Sequence, residues 1–79
     1  MANNNKDPIN TVRIGNVRAA IWLNEGKNGP WYNVTVARLY QDGSEFRDSN
    51  SYSVAELLAA AKAADMAHTW CIENKPTAS

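Results

Sequence analysis

The stretch that decides the fold is WYNVTVARLY, from Trp31 to Tyr40. β-Branched and aromatic residues dominate it, which favours a strand over a helix. Successive side chains alternate between two faces, as the two-residue period of a strand requires. A turn sequence lies at each end, Asn28-Gly29-Pro30 before the stretch and Asp42-Gly43 after it. We therefore predict that it is the middle strand of an antiparallel sheet.

The segment before it, Thr11 to Asn24, predicts one long strand or two short strands joined at Gly15-Asn16. The apolar positions change parity at that point, so we expect a bulge or bend there. The residues from 25 to 30 contain Gly, Asn and Pro and are predicted to form a loop. An antiparallel pairing with Leu23 opposite Tyr32 would bring the apolar residues of both strands to one face.

The segment after it, from 44 to 52, predicts a weaker third strand. A strict two-residue turn at Asp42-Gly43 would place Arg38 opposite Arg47, and like charges in that position are unfavourable. We therefore expect a bulged turn, which would place Phe46 on the core side of the sheet.

The clearest element is a helix from Ser53 to about Asn74. Ser53 and Glu56 have the spacing of a capping box. The alanines between Ala55 and Ala67 give high helix propensity and a thin surface that can approach a sheet closely. At roughly 100° per residue, one broad face is predicted to pack on the sheet. It consists of Val54, Leu57, Leu58, Ala61, Ala64, His68, Cys71 and Ile72.

A second stripe lies on the opposite side of the helix and comprises Ala59, Ala63, Met66 and Trp70. In a monomer of this size it would be exposed, and an exposed apolar patch marks a binding partner. We therefore predict a homodimer with this stripe at the interface. A chain of 79 residues buries only roughly 60% of its unfolded surface, so dimerisation would also add stability.

These elements predict an α+β domain over residues 11–74, a three- to four-stranded antiparallel sheet followed by one long C-terminal helix on one face. Residues 1–10 are a predicted flexible arm and residues 75–79 a flexible tail. The polar start lacks the apolar region of a signal peptide, and no run approaches the roughly 20 apolar residues of a membrane span. The single Cys71 excludes an internal disulfide and predicts a cytoplasmic protein.

The charges are balanced, with 8 basic and 8 acidic residues, which argues against a general nucleic-acid binder. Their distribution is uneven. Between Thr11 and Gln41 the basic residues Arg13, Arg18, Lys27 and Arg38 stand against Glu25 alone. The sheet is therefore predicted to be the cationic half of the domain.

Arginine and aromatic side chains on the strands predict a platform for single-stranded DNA or RNA, where rings stack on bases and guanidiniums meet phosphates. The candidate residues are Arg13, Arg18, Trp22, Arg38, Tyr40 and Arg47. The alternative is a solvated sheet face, because zero net charge weakens the electrostatic attraction. The leading prediction is a non-enzymatic nucleic-acid-binding module. The second is a small homodimeric protein-interaction module.

The sequence contains no Gly-rich phosphate loop, no H-E-x-x-H and no C-x-x-C. His68 has Asp65 one turn before it, but no nucleophile or second acid completes a catalytic set. We expect a core or interface histidine instead, and we expect Cys71 to be a small buried residue. One Cys and one His cannot form a closed metal site. The sequence therefore predicts neither an enzyme nor a bound metal or cofactor.

Four short patterns occur between Arg13 and Ile72, namely IWLNE, NVTVARLY, DSNSY and AHTW. Through them the chain resembles a family of small uncharacterised bacterial proteins, although Phe46-Arg47 stands where that family has Trp-Lys. The resemblance implies a single domain in a bacterial protein. The order of strands and one long C-terminal helix is also similar, more loosely, to whirly and PC4-like single-stranded DNA-binding proteins. Those proteins dimerise and bind strands across their sheets, an analogy of topology alone.

Overall fold

The computed structural model describes residues 7–76. The elements follow in the order β1 (Asn10–Ile14), β2 (Val17–Gly26), β3 (Gly29–Asp42), β4 (Glu45–Ser49) and α1 (Val54–Glu73). The strands form one antiparallel sheet in the order β1-β2-β3-β4, and α1 packs against β1, β2 and β3. The predicted α+β fold is confirmed, with four strands. Residues 1–6 and 77–79, which hold most of the predicted arm and tail, lie outside the described residues.

The parity change at Gly15-Asn16 comes from a hairpin turn. Ile14 pairs with Val17 across the turn, so the segment forms two antiparallel strands. Gly15 has a φ of 59°, which suits the first position of a tight hairpin turn. Of the two predicted alternatives, two strands joined at Gly15-Asn16 is confirmed, and the connection is a hairpin turn and not a bulge.

The pairing of β2 with β3 follows the predicted register, with Leu23 opposite Tyr32. The predicted loop over residues 25–30 is wrong, because both strands continue until Gly26 pairs with Gly29. Gly29 has a φ of 107°, a conformation that favours glycine and that lets a two-residue turn close the hairpin.

The turn between β3 and β4 also differs from the prediction. Asp42 pairs with Glu45, so the turn consists of Gly43-Ser44 and has no bulge. Phe46 consequently lies on the face away from α1 and is 74% exposed, not in the core. This register avoids the like-charge pair as well, because Arg47 lies opposite Tyr40.

The helix begins with the predicted capping box. Ser53 Oγ accepts a hydrogen bond from the Glu56 N–H at 3.2 Å, and the Ser53 N–H donates to the Glu56 carboxylate at 3.0 Å. The same carboxylate accepts from Asn16 Nδ2 at 2.9 Å and lies 3.4 Å from Arg38 Nε. The Asn16 hydrogen bond is the main cause that lowers the pKa of Glu56, followed by the Ser53 N–H. One carboxylate thus joins the β1–β2 turn, β3 and the start of α1.

The core is thin and built around small helix residues. Ala60, Ala63 and Ala67 are buried against β2, where Val17 and Ile21 have no exposed surface. Alanine lets a helix approach closely, and the branched residues of the strand fill the remaining space. The bulky helix residues point elsewhere: Val54, Leu57, Leu58 and Ile72 are all exposed. The predicted sheet-facing side of α1 is therefore wrong.

The stripe predicted for a dimer interface is the side of α1 that faces the sheet. Ala63 has no exposed surface, and Ala59 and Trp70 pack against the core. The Trp70 ring lies 5.5 Å from the ring of Tyr32. Met66, at 40% exposure, is the member that retains a large exposed surface. The interface prediction for Ala63 is therefore corrected, because a fully buried side chain cannot contact another subunit.

Candidate nucleic-acid interface

Helix α1 covers one face of the sheet and leaves the other uncovered. Along β2, Val17, Ala19 and Ile21 face α1 and are buried. The residues between them, such as Arg18 and Trp22, face the opposite way because side chains alternate along a strand. Directly paired residues of neighbouring strands share a face. We call the surface on the Arg18 side the open face.

The open face carries half of the predicted nucleic-acid platform. Arg13, Arg18 and Trp22 lie on it, and Arg13 is directly opposite Arg18. Arg38 lies opposite the buried Val17, so Arg38, and Tyr40 and Arg47 with it, belong to the helix side of the sheet. The prediction that all six residues form one platform is therefore wrong.

On the helix side, both guanidiniums are bound to acceptors of the chain itself. Arg38 Nε lies 3.4 Å from the Glu56 carboxylate and donates to the Ser51 carbonyl at 2.8 Å. Arg47 lies 3.1 Å from both Asp42 and Glu45. These two arginines hold the β3–β4 hairpin and the start of α1 in place.

On the open face, Arg18 and Trp22 border a depression of about 550 Å³ that also contacts Thr35, Asp48 and Asn50. Trp22 Nε1 donates to Thr35 Oγ1 at 3.0 Å, which fixes the orientation of the indole. Arg18 Nη2 lies 3.6 Å from Asp48 Oδ2, and both side chains are well exposed. That separation exceeds a hydrogen bond, so the pair is a loose one.

Arg13 is the arginine with the greatest freedom to meet an external anion. Its Nε donates to the carbonyl of Gly15 at 3.1 Å. Within residues 7–76, none of the ion pairs includes Arg13. Its guanidinium therefore keeps donors that can bind a phosphate.

Two aromatic residues of the open face were not among the predicted site residues. Trp31 pairs with Asn24, is 47% exposed and packs over Gly26, where an added Cβ would lie 2.8 Å from the indole. Phe46 lies on the same face, nearer the β3–β4 turn. The alternation of the Trp31–Tyr40 stretch already separates Trp31 from the core side, and that signal was available in the sequence.

Charges divide between the two sides of the domain. On the strands of the open face, Arg13 and Arg18 stand against Asp48. Most carboxylates lie on the helix side of the sheet or on α1, together with three basic residues. The carboxylates are Glu25, Asp42, Glu45, Glu56, Asp65 and Glu73, and the basic residues are Arg38, Arg47 and Lys62. A chain of zero net charge thus presents a cationic, aromatic surface on one side.

The remaining chemically distinctive residues are isolated. His68 and Asp65 are both exposed, so His68 is not a core residue, and the alternative of an interface histidine stays a prediction. Cys71 is partly buried, and burial raises the pKa of its thiol. Within residues 7–76, no three His, Cys, Asp or Glu side chains are grouped closely enough to hold a metal ion. In the same part of the chain, no helix combines the length and apolarity needed to cross a membrane.

Comparisons of this chain with protein-family models, with curated proteins and with solved structures found no match.

Proposed function

We propose that the protein binds single-stranded nucleic acid across the open face and catalyses no reaction. The observation that carries the proposal is the placement of Trp22 and Trp31 with Arg13 and Arg18 on one uncovered face. Most carboxylates of the described strands and helix lie on the other side. The combination of stacking surfaces with guanidiniums is what single-stranded nucleic acid requires.

Each open-face residue has a distinct role in this proposal. Trp22 is held by Thr35, so a base can stack on an indole that is already oriented. Trp31 offers a second ring, and a stacked base contributes about 1–3 kcal/mol. Arg13 meets one phosphate directly. Arg18 meets another by exchanging the loose contact with Asp48, which costs little at an exposed site.

Fluorescence titration with a short oligothymidylate at several salt concentrations tests this proposal. Binding should quench tryptophan emission, since Trp22 and Trp31 both lie on the open face. Two phosphate contacts predict a slope of about −1.4 for log K against log salt, because each contact to a single strand contributes roughly −0.7. Arg13→Ala should remove about half of that slope.

The matched control is Lys62→Ala, which removes a positive charge from the exposed side of α1. It should leave the affinity unchanged. Absence of quenching at low salt, or an equal loss in Lys62→Ala and Arg13→Ala, would refute the proposal. The single thiol of Cys71 suits a reducing cytoplasm, which is where we propose that the protein acts.

A second candidate function is that of a homodimeric protein-interaction module. It is favoured by large apolar side chains that the fold leaves exposed, including Leu57 at 57% and Leu58 at 79%. Apolar surface of this kind marks a contact with another polypeptide.

A further inference from the structure

The longest strand of the sheet is unpaired along much of one edge. β2 pairs with β3 from Gly29 to Arg38. On the other side of β3, β4 pairs only from Arg38 to Asp42. Among residues 7–76, no strand lies beside residues 29–37 on that side. We call this segment of β3 the free edge.

The direction of the backbone groups along the free edge follows from one hydrogen bond. The Leu39 N–H donates to the carbonyl of Asn16, the turn residue that precedes β2. Backbone groups alternate in direction along a strand, so the odd-numbered residues of β3 point to β2. Tyr32, Val34 and Val36 therefore direct both N–H and C=O outward. Pro30 also points outward but has no N–H, so the complete part of the edge runs from Tyr32 to Val36. No charged residue lies between positions 29 and 37, so this part is a template for another strand.

We propose that the free edge binds a second copy of this chain, whose β3 adds in antiparallel orientation about a two-fold axis at Asn33. The inference rests on the second proposed function and names a second copy of the chain as its partner. The hairpin turn after Gly26 limits the free edge at one end, and Ser49 of β4 limits it at the other. The register that pairs the whole segment sets Gly29 opposite the partner's Ala37.

This register is self-complementary. Tyr32 lies opposite the partner's Val34 on the helix side, so their four outward backbone groups bond one another. Trp31 lies opposite the partner's Thr35 on the open face. Two four-stranded sheets become one sheet of eight strands, and apolar residues meet apolar residues on the helix side. The open faces of both copies stay uncovered and become continuous.

An apolar groove continues the same surface above the free edge. It has a volume of about 640 Å³ between α1 and β3, and Val36, Tyr52, Leu57, Ala61 and Ala64 contribute to its lining. Because α1 lies mainly over β2, the helices of two paired copies would be three strand spacings apart, about 14 Å. Leucine side chains from both helices span such a gap, which explains why Leu57 is exposed in a single copy.

The small core of a single copy supports a second copy as the occupant. Ile21 and Val17 are the largest fully buried side chains of the described residues, so a single copy has little core of its own.

Analytical ultracentrifugation of the full chain and of Val34→Pro tests the proposal. The wild type should be a dimer at high micromolar concentration. Proline removes the N–H of Val34 that points outward and leaves the backbone hydrogen bonds to β2 in place. The variant should therefore fold and be monomeric. Thr11→Pro is the matched control: the Thr11 N–H points away from β2 at the opposite edge, because Ile14 and Val17 close that hairpin. This control should remain dimeric.

Cysteine cross-linking tests the same interface independently, and it does not require that Val34→Pro folds. In a Cys71→Ser background, Asn33→Cys should form an intermolecular disulfide, since a non-hydrogen-bonded pair has Cα atoms about 4.5 Å apart. Thr35→Cys should not, because it lies opposite the partner's Trp31. A monomeric wild type, or a dimer that links through Thr35→Cys and not through Asn33→Cys, would overturn the proposal. Neither experiment uses nucleic acid, so its failure is distinct from a failure of the oligonucleotide titration.

Discussion

Replacing Ala63 with leucine should destabilise the protein strongly. Ala63 has no exposed surface and lies where α1 meets the sheet. The three added carbons would stabilise the fold by about 2.4 kcal/mol if they entered an empty cavity. The alanine interface offers no such space, so the helix must move away from β2, and overpacking of this kind typically costs about 1–3 kcal/mol. At roughly 4–8 °C per kcal/mol, a loss of about 2 kcal/mol lowers Tm by roughly 8–16 °C.

Urea unfolding followed by circular dichroism measures this effect, with Ala55→Leu as the control. Ala55 is an exposed residue of the same helix, and the change in helix propensity is small at both positions. The control should change the free energy of unfolding by less than about 0.5 kcal/mol. Equal stabilities of the two variants, or a more stable Ala63→Leu, would refute the helix orientation described above.

Three further outcomes follow from the same contacts. Phe46→Ala should lower the free energy of unfolding, measured in urea, by less than about 0.5 kcal/mol, because Phe46 is 74% exposed. A loss as large as that of a buried phenylalanine would contradict the register of β4. The lowered pKa of Glu56 stabilises the fold above the ordinary value of 4.5, and this contribution is lost as pH falls through the lower folded-state pKa. The loss of stability at acid pH should therefore be smaller in Glu56→Gln, and an unchanged pH dependence would contradict a stabilising role of the Glu56 carboxylate. Since burial raises the pKa of Cys71, iodoacetamide should modify it more slowly at pH 8 than a free thiol of ordinary pKa; an equal rate would count against that burial.

The parts of the fold that were predicted correctly depend on local chemistry. The Ser53–Glu56 capping box requires two residues at fixed spacing, and the structure confirms both of its hydrogen bonds. The β2–β3 register, with Leu23 opposite Tyr32, follows from alternating apolar residues in two long strands. A shift by one residue there would move a whole apolar set to solvent, so the pattern leaves little choice.

The orientation of α1 could not be derived in the same way. Apolar residues occur around most of the helix, so periodicity does not single out a face. The size of the side chains favours the side with Leu57 and Leu58, yet close packing on the sheet selects Ala60 and Ala63.

The helix-side position of Arg38 and Tyr40 was available in the sequence, because alternation along the strand places both with Val34 and Val36. The face of Arg47 was not, because it depends on the register of β4 against β3.

Strand β4 has a distinct position in this molecule, because α1 contacts the other three described strands and not β4. Its attachment consists of the ladder to β3 and of surface ion pairs such as that of Arg47 with Asp42. Fraying of β4 therefore leaves the core intact, and its amide protons should exchange with solvent well before those of β2. When β4 frays, Asp48 moves away with the strand, so the ion pair between Arg18 and Asp48 is broken. Fraying of this edge strand thereby changes how much positive charge the open face displays.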